Sequence, residues 1–512
     1  MRASASATEA VVCARKQRRN AQATLRREVR KASRRHGVVV PSSRSIANGC
    51  CGYQSVEVER QERQEASLGQ LGVLRARLPW LMARLGRIDD PRHPRKTKHQ
   101  LTVLLLYGLL TFVFRQASRR EANRNLTRPM FLENLRLLFP EIQSLPHHDT
   151  LNRVLAEMDV EQLEHLHRQL LTRLMGQKKF RRHLVAGRYP VAIDGTGKLT
   201  RRQPLSGQWG ERRQCGPAQQ HQHYVYVVEA SLAFPNGMTI PLVSEFCDNT
   251  QGELGEDKQD CEIRAFYRIA KRLKQAFPKL PILLLLDGLY ANGPVMDACR
   301  DHGWQFLIVL RDGSLPATWQ EYTGLRKLET GNRAARYWGG RRQSFEWVND
   351  IERDYDAGQN RRRKRQVVHV VVCEESWEEI APDATQRVHK QARHAWVSSE
   401  PLSAATVHER CNLGARNRWG IEQGFLVEKH HGYQYEHCFS WNWTAMKGYH
   451  YLMRLAHALN VLALHTTTMA KRVRELGVRG VLQFVYETLT GPWFDANTVA
   501  QRWRGPLQLR LE

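Results

Sequence analysis

The sequence predicts an α/β fold in which a mixed β-sheet packs against helices and follows a purely helical region. Apolar strand-like runs alternate with amphipathic helical segments between about residues 185 and 312, an order typical of α/β proteins. A Pro-Asn-Gly turn at 235–237 joins two of these runs as a hairpin. Residues 68–178 instead show helical periodicity without strand-like runs.

The individual elements of the α/β region are predicted from their hydrophobic pattern and their turn residues. Strands are predicted at 189–193, 224–234, 238–246, 282–286 and 305–310, and helices at 261–277 and 294–302. Pro278 ends the first of these helices. The order strand, hairpin, helix, strand, helix, strand matches a ribonuclease-H-like arrangement, in which three early strands are antiparallel and later strands run parallel.

A chain of 512 residues exceeds what one core usually serves, and we expect six segments. These are a basic, disordered or loosely helical arm (1–67), a helical region (68–178), the first part of the ribonuclease-H-like core (185–312), a β-rich insertion (313–392), the completion of the core (393–466) and a C-terminal tail (467–512). The helical region fits a DNA-binding domain with a helix-turn-helix as well as a plain bundle. The arm fits a DNA contact, a non-functional extension or a targeting peptide.

Charge is the unusual feature of the composition. The chain has 78 Lys and Arg against 51 Asp and Glu, a formal net charge of +27. An excess of this size favours binding to polyanions such as nucleic acids. No apolar run resembles a secretory signal or is long enough to span a bilayer, so we expect no membrane partner and a cytoplasmic location.

Two aspartates each follow an apolar run and are followed at once by glycine. They are Asp194 and Asp287. A single such aspartate is more often only a turn cap, but two at neighbouring strand ends suit a shared metal site, since Mg²⁺ prefers carboxylate oxygens. Two ions roughly 3.5–4 Å apart stabilise the attacking and leaving oxygens when a phosphodiester is broken. Glu422, on a helix predicted from 404 to about 429, is the third candidate ligand.

Around Glu422 the spacing of charged residues is regular. Arg418 precedes it by four residues and Lys429 follows it by seven. On a helix these three residues share a face, so one surface would serve a metal and DNA phosphates. An ordinary helix with surface salt bridges often has the same spacing, so it is the alternative to a surface that binds metal and DNA.

Together these motifs resemble those of DDE transposases of the insertion-sequence-four type, which carry a Y-R-E-K signature. The first aspartate lies in the sequence IDGT at 193–196 and the second in LDGLYAN at 286–292. The segment KQDCE at 258–262 resembles a further stretch of related transposases. The resemblance covers about residues 145–460. It departs at Ala415, where the signature has tyrosine.

This resemblance implies a DDE transposase that cleaves DNA strands and transfers the freed 3′ end of an insertion sequence into a target. It implies that Asp194, Asp287 and Glu422 are catalytic and bind two Mg²⁺ or Mn²⁺ ions, and that Arg418 and Lys429 contact DNA. The implied partners are double-stranded DNA, at the element's ends and at the target, and a second copy of the chain at synapsis. A bacterial, nucleoid-associated location follows.

The sequence also fits two other functions. The same scaffold suits a structure-specific nuclease or resolvase, which cleaves branched DNA without strand transfer. The departure at Ala415 also suits an inactive, DNA-binding relic of a transposase. Within the predicted insertion, Trp338 and Trp347 are candidates for stacking on a flipped base by position alone, and core packing is the favoured role for both.

Overall fold

The computed structural model describes residues 2–35, 51–74, 79–204, 206–213, 221–250, 260–357, 362–381, 386–504 and 509–512. Two compact units are present. Unit 1 consists of Met1–Arg44 and Leu283–Arg416, and unit 2 of Ser45–Ile282 and Asn417–Glu512. The six segments predicted from the sequence stay predictions as domains, because this division rests on compactness alone.

Helices and strands are numbered in chain order. The helices are α1 Arg2–Arg35, α2 Val56–Gly72, α3 Pro79–Leu85, α4 Leu101–Val113, α5 Arg119–Leu126, α6 Pro129–Leu138, α7 His148–Glu157, α8 Glu161–Gly176, α9 Glu262–Ala276, α10 Gly293–Asp301, α11 Pro316–Leu325, α12 Trp419–His430, α13 Trp443–Leu464, α14 Thr467–Thr490 and α15 Ala496–Arg504. The strands are β1 Tyr189–Arg201, β2 Gly210–Arg213, β3 His221–Ala233, β4 Thr239–Phe246, β5 Ile282–Leu286, β6 Gln305–Val309, β7 Arg333–Trp338, β8 Arg341–Ala357, β9 Arg362–Ile380 and β10 Arg387–Ser398.

The strands of unit 2 are antiparallel. β3 pairs with β1, β2 and β4, and the β3–β4 connection is the predicted hairpin, with Gly237 at a φ of 84°. One detail differs from the prediction. The first strand does not end at Asp194 but continues to Arg201, because the residues after Asp194 keep pairing with β3 as far as His223.

The helical part of unit 2 is built around two apolar helices, α4 and α13. Twelve of the thirteen residues of α4 are buried, as the uniformly apolar sequence predicts. The two helices approach closely at Gly108, where an added Cβ would lie 2.7 Å from a methyl carbon of Leu452. The N-cap of α7 is His147, whose ring accepts the backbone N–H of Asp149.

Unit 1 contains the parallel part of the sheet and the predicted β-rich insertion. β5 and β6 are parallel, β10 pairs antiparallel with β6, and β10, β9, β8 and β7 follow in order as antiparallel neighbours. Strands β8 and β9 are long, because they continue through charged residues on their exposed face. The basic run at 361–365 therefore lies largely within β9, although Arg361 is outside the described residues.

Antiparallel early strands and a parallel pair later in the chain confirm the predicted α/β class with a mixed, ribonuclease-H-like sheet. Trp347, one of the two candidates for base stacking, is buried and packs in the core of unit 1, while Trp338 is half-buried. Within the described residues, no helix has the length and apolar character needed to cross a bilayer.

The segment predicted as a basic arm, residues 1–67, contains helix α1 and most of α2. The arm was predicted to be disordered or loosely helical, and its residues Arg2–Arg35 form helix α1. The predicted boundary at 67 falls inside α2, whose buried residues begin at Gln64. Residues 36–50 lie outside the described part of the chain.

The helix predicted from 404 to about 429 is not uniform. It consists of a π-helical turn at Glu409–Gly414, a 3-10 turn at Ala415–Arg418 and then α12. Buried polar side chains accompany the π-helical turn: Arg410 donates to Ser398, and Asn412 donates to Gln343. Such contacts depend on distant strands, so the local hydrophobic period does not predict them.

Candidate active site

Asp194 lies in the middle of β1, with its side chain about one fifth exposed. Its Oδ1 accepts the backbone N–H of Gly195 at 2.9 Å. The residue opposite Asp194 on β3 is Glu229, and directly opposed residues of antiparallel strands point to the same face of a sheet. The aspartate is therefore held on a rigid strand, on the face that carries the buried Glu229.

Arg418 brings Asp194 and Glu422 together. Its Nη2 donates to Glu422 Oε1 at 2.6 Å, and its Nη1 lies 3.4 Å from Asp194 Oδ2. Arg418 and Glu422 thus lie on one face, as predicted, and they form the salt bridge that the alternative interpretation of this helix contains. Arg418 is only 8% exposed, whereas Glu422 is 36% exposed. Two of the three predicted carboxylates consequently converge on one cationic group in unit 2.

Asp287 belongs to unit 1 and follows directly after β5, as the sequence predicts. Its Oδ1 accepts the backbone N–H of Leu289 at 2.8 Å, so it caps a 3-10 turn. Its Oδ2 accepts from Arg311 Nη2 at 2.8 Å. An added Cβ on Gly288 would lie 2.6 Å from Arg311 Nε, so a larger residue here would displace the arginine side chain. The carboxylate of Asp287 therefore both caps the turn and pairs with an arginine.

The two remaining positions of the signature segment have different surroundings. Lys429 Nζ pairs with Glu436 at 2.9 Å, so this lysine is anchored beside the end of α12. Ala415, where the signature has tyrosine, is 4% exposed. Position 415 is thus buried, and the small side chain agrees with that burial.

Two residues that sequence reasoning did not single out lie beside Asp194. The phenol of Tyr226 donates to Glu262 Oε2 at 2.7 Å, and burial together with Glu262 raises the pKa of Tyr226. An added Cβ on Gly195 would meet both groups within 2.6 Å. Because Gly195 has no side chain, it leaves room for Tyr226 and Glu262. It lies within strand β1 and does not form a turn. Glu262 ends the 258–262 segment, of which residues 258 and 259 lie outside the described part.

Comparison with protein families identifies the chain. The model of the transposase DDE domain matches residues 186–461, which is more than half of the chain. The chain belongs to the DDE transposase family. A second model, described as DDE_Tnp_1-associated, matches residues 82–171, within the helical part of unit 2. No curated protein matches the sequence.

Family membership has direct consequences for activity. The transposase is an enzyme that cleaves DNA and transfers strands, DNA is its substrate, and DDE transposases use divalent metal ions. The family match covers all three predicted carboxylates and both predicted DNA contacts. It does not assign their roles, which stay predictions.

A buried polar network lies behind the helix that carries Glu422. Glu428 of α12 accepts from Arg454 Nη1 at 3.0 Å on both oxygens and bonds to His457 Nδ1 at 2.6 Å. Arg454 also pairs with Glu229 of β3 at 3.2 Å. This network ties α12 of the transposase to α13 and to the strand opposite Asp194. The sequence does not indicate this network, because Glu428 and the adjacent Lys429 both look like exposed charges on the surface of a helix.

The network continues to β1 through His450. Lys198 Nζ lies 3.2 Å from His450 Nδ1, and since an ammonium can only donate, this nitrogen accepts. Nε2 then carries the proton and faces Glu229 at 3.1 Å. Burial, together with Lys198, lowers the pKa of His450 to about 4. The ring is therefore neutral at physiological pH. Its Nε2–H lies 3.0 Å from Ser244 Oγ, its hydrogen-bond partner, and the 3.1 Å contact with Glu229 is not an ion pair.

A second buried histidine, His167, should make the stability of the transposase depend on pH. Burial, reinforced by Arg454, lowers the pKa of His167 to about 3, whereas histidines of the unfolded chain titrate near about 6.5. Below that pH the unfolded state binds more protons, so the free energy of unfolding should fall as pH drops from about 6.5 towards 4. Urea titrations at several pH values should show an uptake of about two protons from His167 and His450 on unfolding near pH 5.

The matched control is His167→Leu. It removes one of the two titrating groups, so the uptake near pH 5 should decrease by about one proton. A free energy of unfolding that stays constant between pH 6.5 and 4.5, or an uptake that His167→Leu leaves unchanged, would contradict the neutral, buried state of these rings.

Another group of metal-type side chains lies away from these carboxylates in the sequence. His147, His148 and Asp149 each offer a ligand atom within 4.8 Å of the others. Asp149 already lies 3.6 Å from Arg119, and His147 caps α7. Capping and ion pairing account for this group.

Proposed function

We propose that the transposase mobilises an insertion sequence, and that Asp194, Asp287 and Glu422 are its catalytic residues and hold two Mg²⁺ or Mn²⁺ ions. The observation that carries this proposal is the convergence of Asp194 and Glu422 on the guanidinium of Arg418. These two carboxylates lie far apart in the sequence and meet only through the fold, and a positive group already occupies the space between them.

The chemistry of the donor set fits a divalent metal. Both carboxylates are partly exposed, carry hard oxygen atoms that Mg²⁺ prefers, and stand on a strand and a helix rather than on loops. Asp287 offers the same ligand type and likewise pairs with an arginine in its own unit. Bound metal ions would stabilise the charge on the attacking and leaving oxygens of the phosphodiester.

The remaining residues of the signature segment are assigned to DNA and to the carboxylates. Arg418 would orient Asp194 and Glu422, and both Arg418 and Lys429 would contact backbone phosphates. Membership in the insertion-sequence-four subtype is supported by the Arg, Glu and Lys of this segment. The buried Ala415 is the departure from it. We also propose a homodimer at synapsis and association with the bacterial nucleoid, which the net charge of +27 favours.

The proposal is tested by incubating the purified protein with labelled element ends, a target plasmid and either Mg²⁺, Mn²⁺ or Ca²⁺. We expect cleavage at the ends and joining to the plasmid with Mg²⁺ or Mn²⁺. Cleavage of branched DNA without joining would instead identify a nuclease or resolvase. End binding without any metal-dependent cleavage would identify an inactive relic.

A further inference from the structure

Helix α1 has two sides of different character. Among the residues of α1 whose side chains the structure describes (11–32 and 35), the half-buried ones are Ala21, Gln22, Leu25, Val29 and Ala32. Since most of them recur every three or four positions, they share one side of the helix. The exposed basic residues are Arg15, Lys16, Arg18, Arg19, Arg26, Arg27, Arg30, Lys31 and Arg35. At 3.6 residues per turn, most of these fall on the opposite side.

The half-buried side of α1 contacts the β-rich part of unit 1. Val29 packs against the β7–β8 turn, where an added Cβ on Gly340 would lie 3.0 Å from it. Glu28 pairs with Arg387 of β10 at 2.9 Å. The contact thus uses the apolar Val29 and the acidic Glu28, and it leaves the basic side to solvent.

Positive charge on α1 is not neutralised locally. Within the described residues, none of its nine exposed basic side chains forms an ion pair. Strand β9 offers a contrast in the same unit: Arg363 pairs with Asp354, Lys364 with Asp297, and Arg365 with Glu352 and Asp354. Uncompensated charge along one side of a helix attracts a polyanion, whereas paired charge does so weakly.

We propose that the basic side of α1 binds the phosphate backbone of double-stranded DNA without reading its sequence. The inference rests on DNA being the substrate, which family membership gives, and adds a binding surface outside the matched residues 82–171 and 186–461. A helix of 34 residues spans roughly 50 Å, over which duplex DNA presents one phosphate every ~1.7 Å of axis.

An anionic membrane is the competing polyanionic surface. Helices that lie in a membrane interface insert large apolar side chains beside their basic ones. Over residues 11–32 and 35 of α1, the half-buried side consists of one leucine and one valine beside two alanines and a glutamine, and it is turned towards the sheet. These observations favour DNA.

The test is a variant with Arg27→Gln, Arg30→Gln and Lys31→Gln in the full-length protein. Glutamine keeps helix propensity close to that of arginine and lysine, and circular dichroism checks that the helix remains. Binding to a duplex of unrelated sequence is measured by fluorescence anisotropy between 50 and 300 mM salt. We expect affinity to fall at least about tenfold at low salt, and the slope of log K against log salt to become shallower by about 2 to 3, since each lost phosphate contact contributes about 0.9.

The matched control is Arg363→Gln with Lys364→Gln and Arg365→Gln, which removes two arginines and one lysine from paired positions on β9. Its slope should change by less than about 1. An unchanged slope in the α1 variant, or an equal change in both, overturns the proposal. The proposal is also overturned if the α1 variant loses binding to phosphatidylserine vesicles but still binds DNA as the parent does. Because cleavage at saturating DNA is scored separately, failure of the proposed reaction is distinguishable from failure of this surface.

Discussion

Replacing Asp194 by asparagine should reduce strand cleavage by at least about a thousandfold, because the variant removes one anionic metal ligand while keeping the size of the side chain. Its Oδ1 can still accept the N–H of Gly195, as in the parent. Binding of labelled element ends should therefore change by less than about threefold. Cleavage is followed on denaturing gels with Mg²⁺ and with Mn²⁺, and binding by anisotropy in Ca²⁺.

Asp159→Asn is the control for this experiment. Asp159 is an exposed aspartate of the same unit, and its carboxylate accepts the backbone N–H of Glu161. It should leave cleavage within about threefold of the parent. If Asp194→Asn cleaves as well as Asp159→Asn, Asp194 is not a metal ligand and the catalytic assignment is wrong. If Asp194→Asn loses end binding as well, the residue serves DNA contact or folding instead.

The sequence predicts most of the elements that position the candidate site. The apolar run 282–286 and the Pro-Asn-Gly hairpin are both found where expected, because buried strands and tight turns are encoded locally. The end of β1 was not predicted correctly. Its polar residues after Asp194 look like a loop in isolation, and only pairing with β3 makes them a strand.

Contacts around the site were the least predictable part. The spacing of Arg418 and Glu422 predicted that they share a face, since one helical turn separates them, and a salt bridge between them was the alternative interpretation. Nothing local indicated that Arg418 also reaches Asp194, which lies 224 positions away. Tyr226 was missed, and Glu262 was noted only as part of the 258–262 segment, for the same reason: the two side chains meet at Gly195 only through the packing of α9 against the sheet.

Arg454→Met should lower the free energy of unfolding by about 3–5 kcal/mol, because it leaves two buried carboxylates without their charged partner. Glu229 and Glu428 are both fully buried and both pair with Arg454. Although burial by itself raises the pKa of Glu428, Arg454 and His457 outweigh it and lower that pKa to about 2. The carboxylate is therefore ionised in the folded protein and depends on the arginine. Urea unfolding followed by circular dichroism measures the loss.

Two comparison variants show whether the loss comes from uncompensated charge or from packing. Lys471→Gln removes an exposed pair with Glu475 and should cost less than about 1 kcal/mol. Adding Glu428→Gln to Arg454→Met removes one of the two stranded charges, so the double variant should be more stable than Arg454→Met alone. A double variant that is less stable than Arg454→Met would show that the network holds α12 through shape and hydrogen bonding, with the ionic contribution secondary.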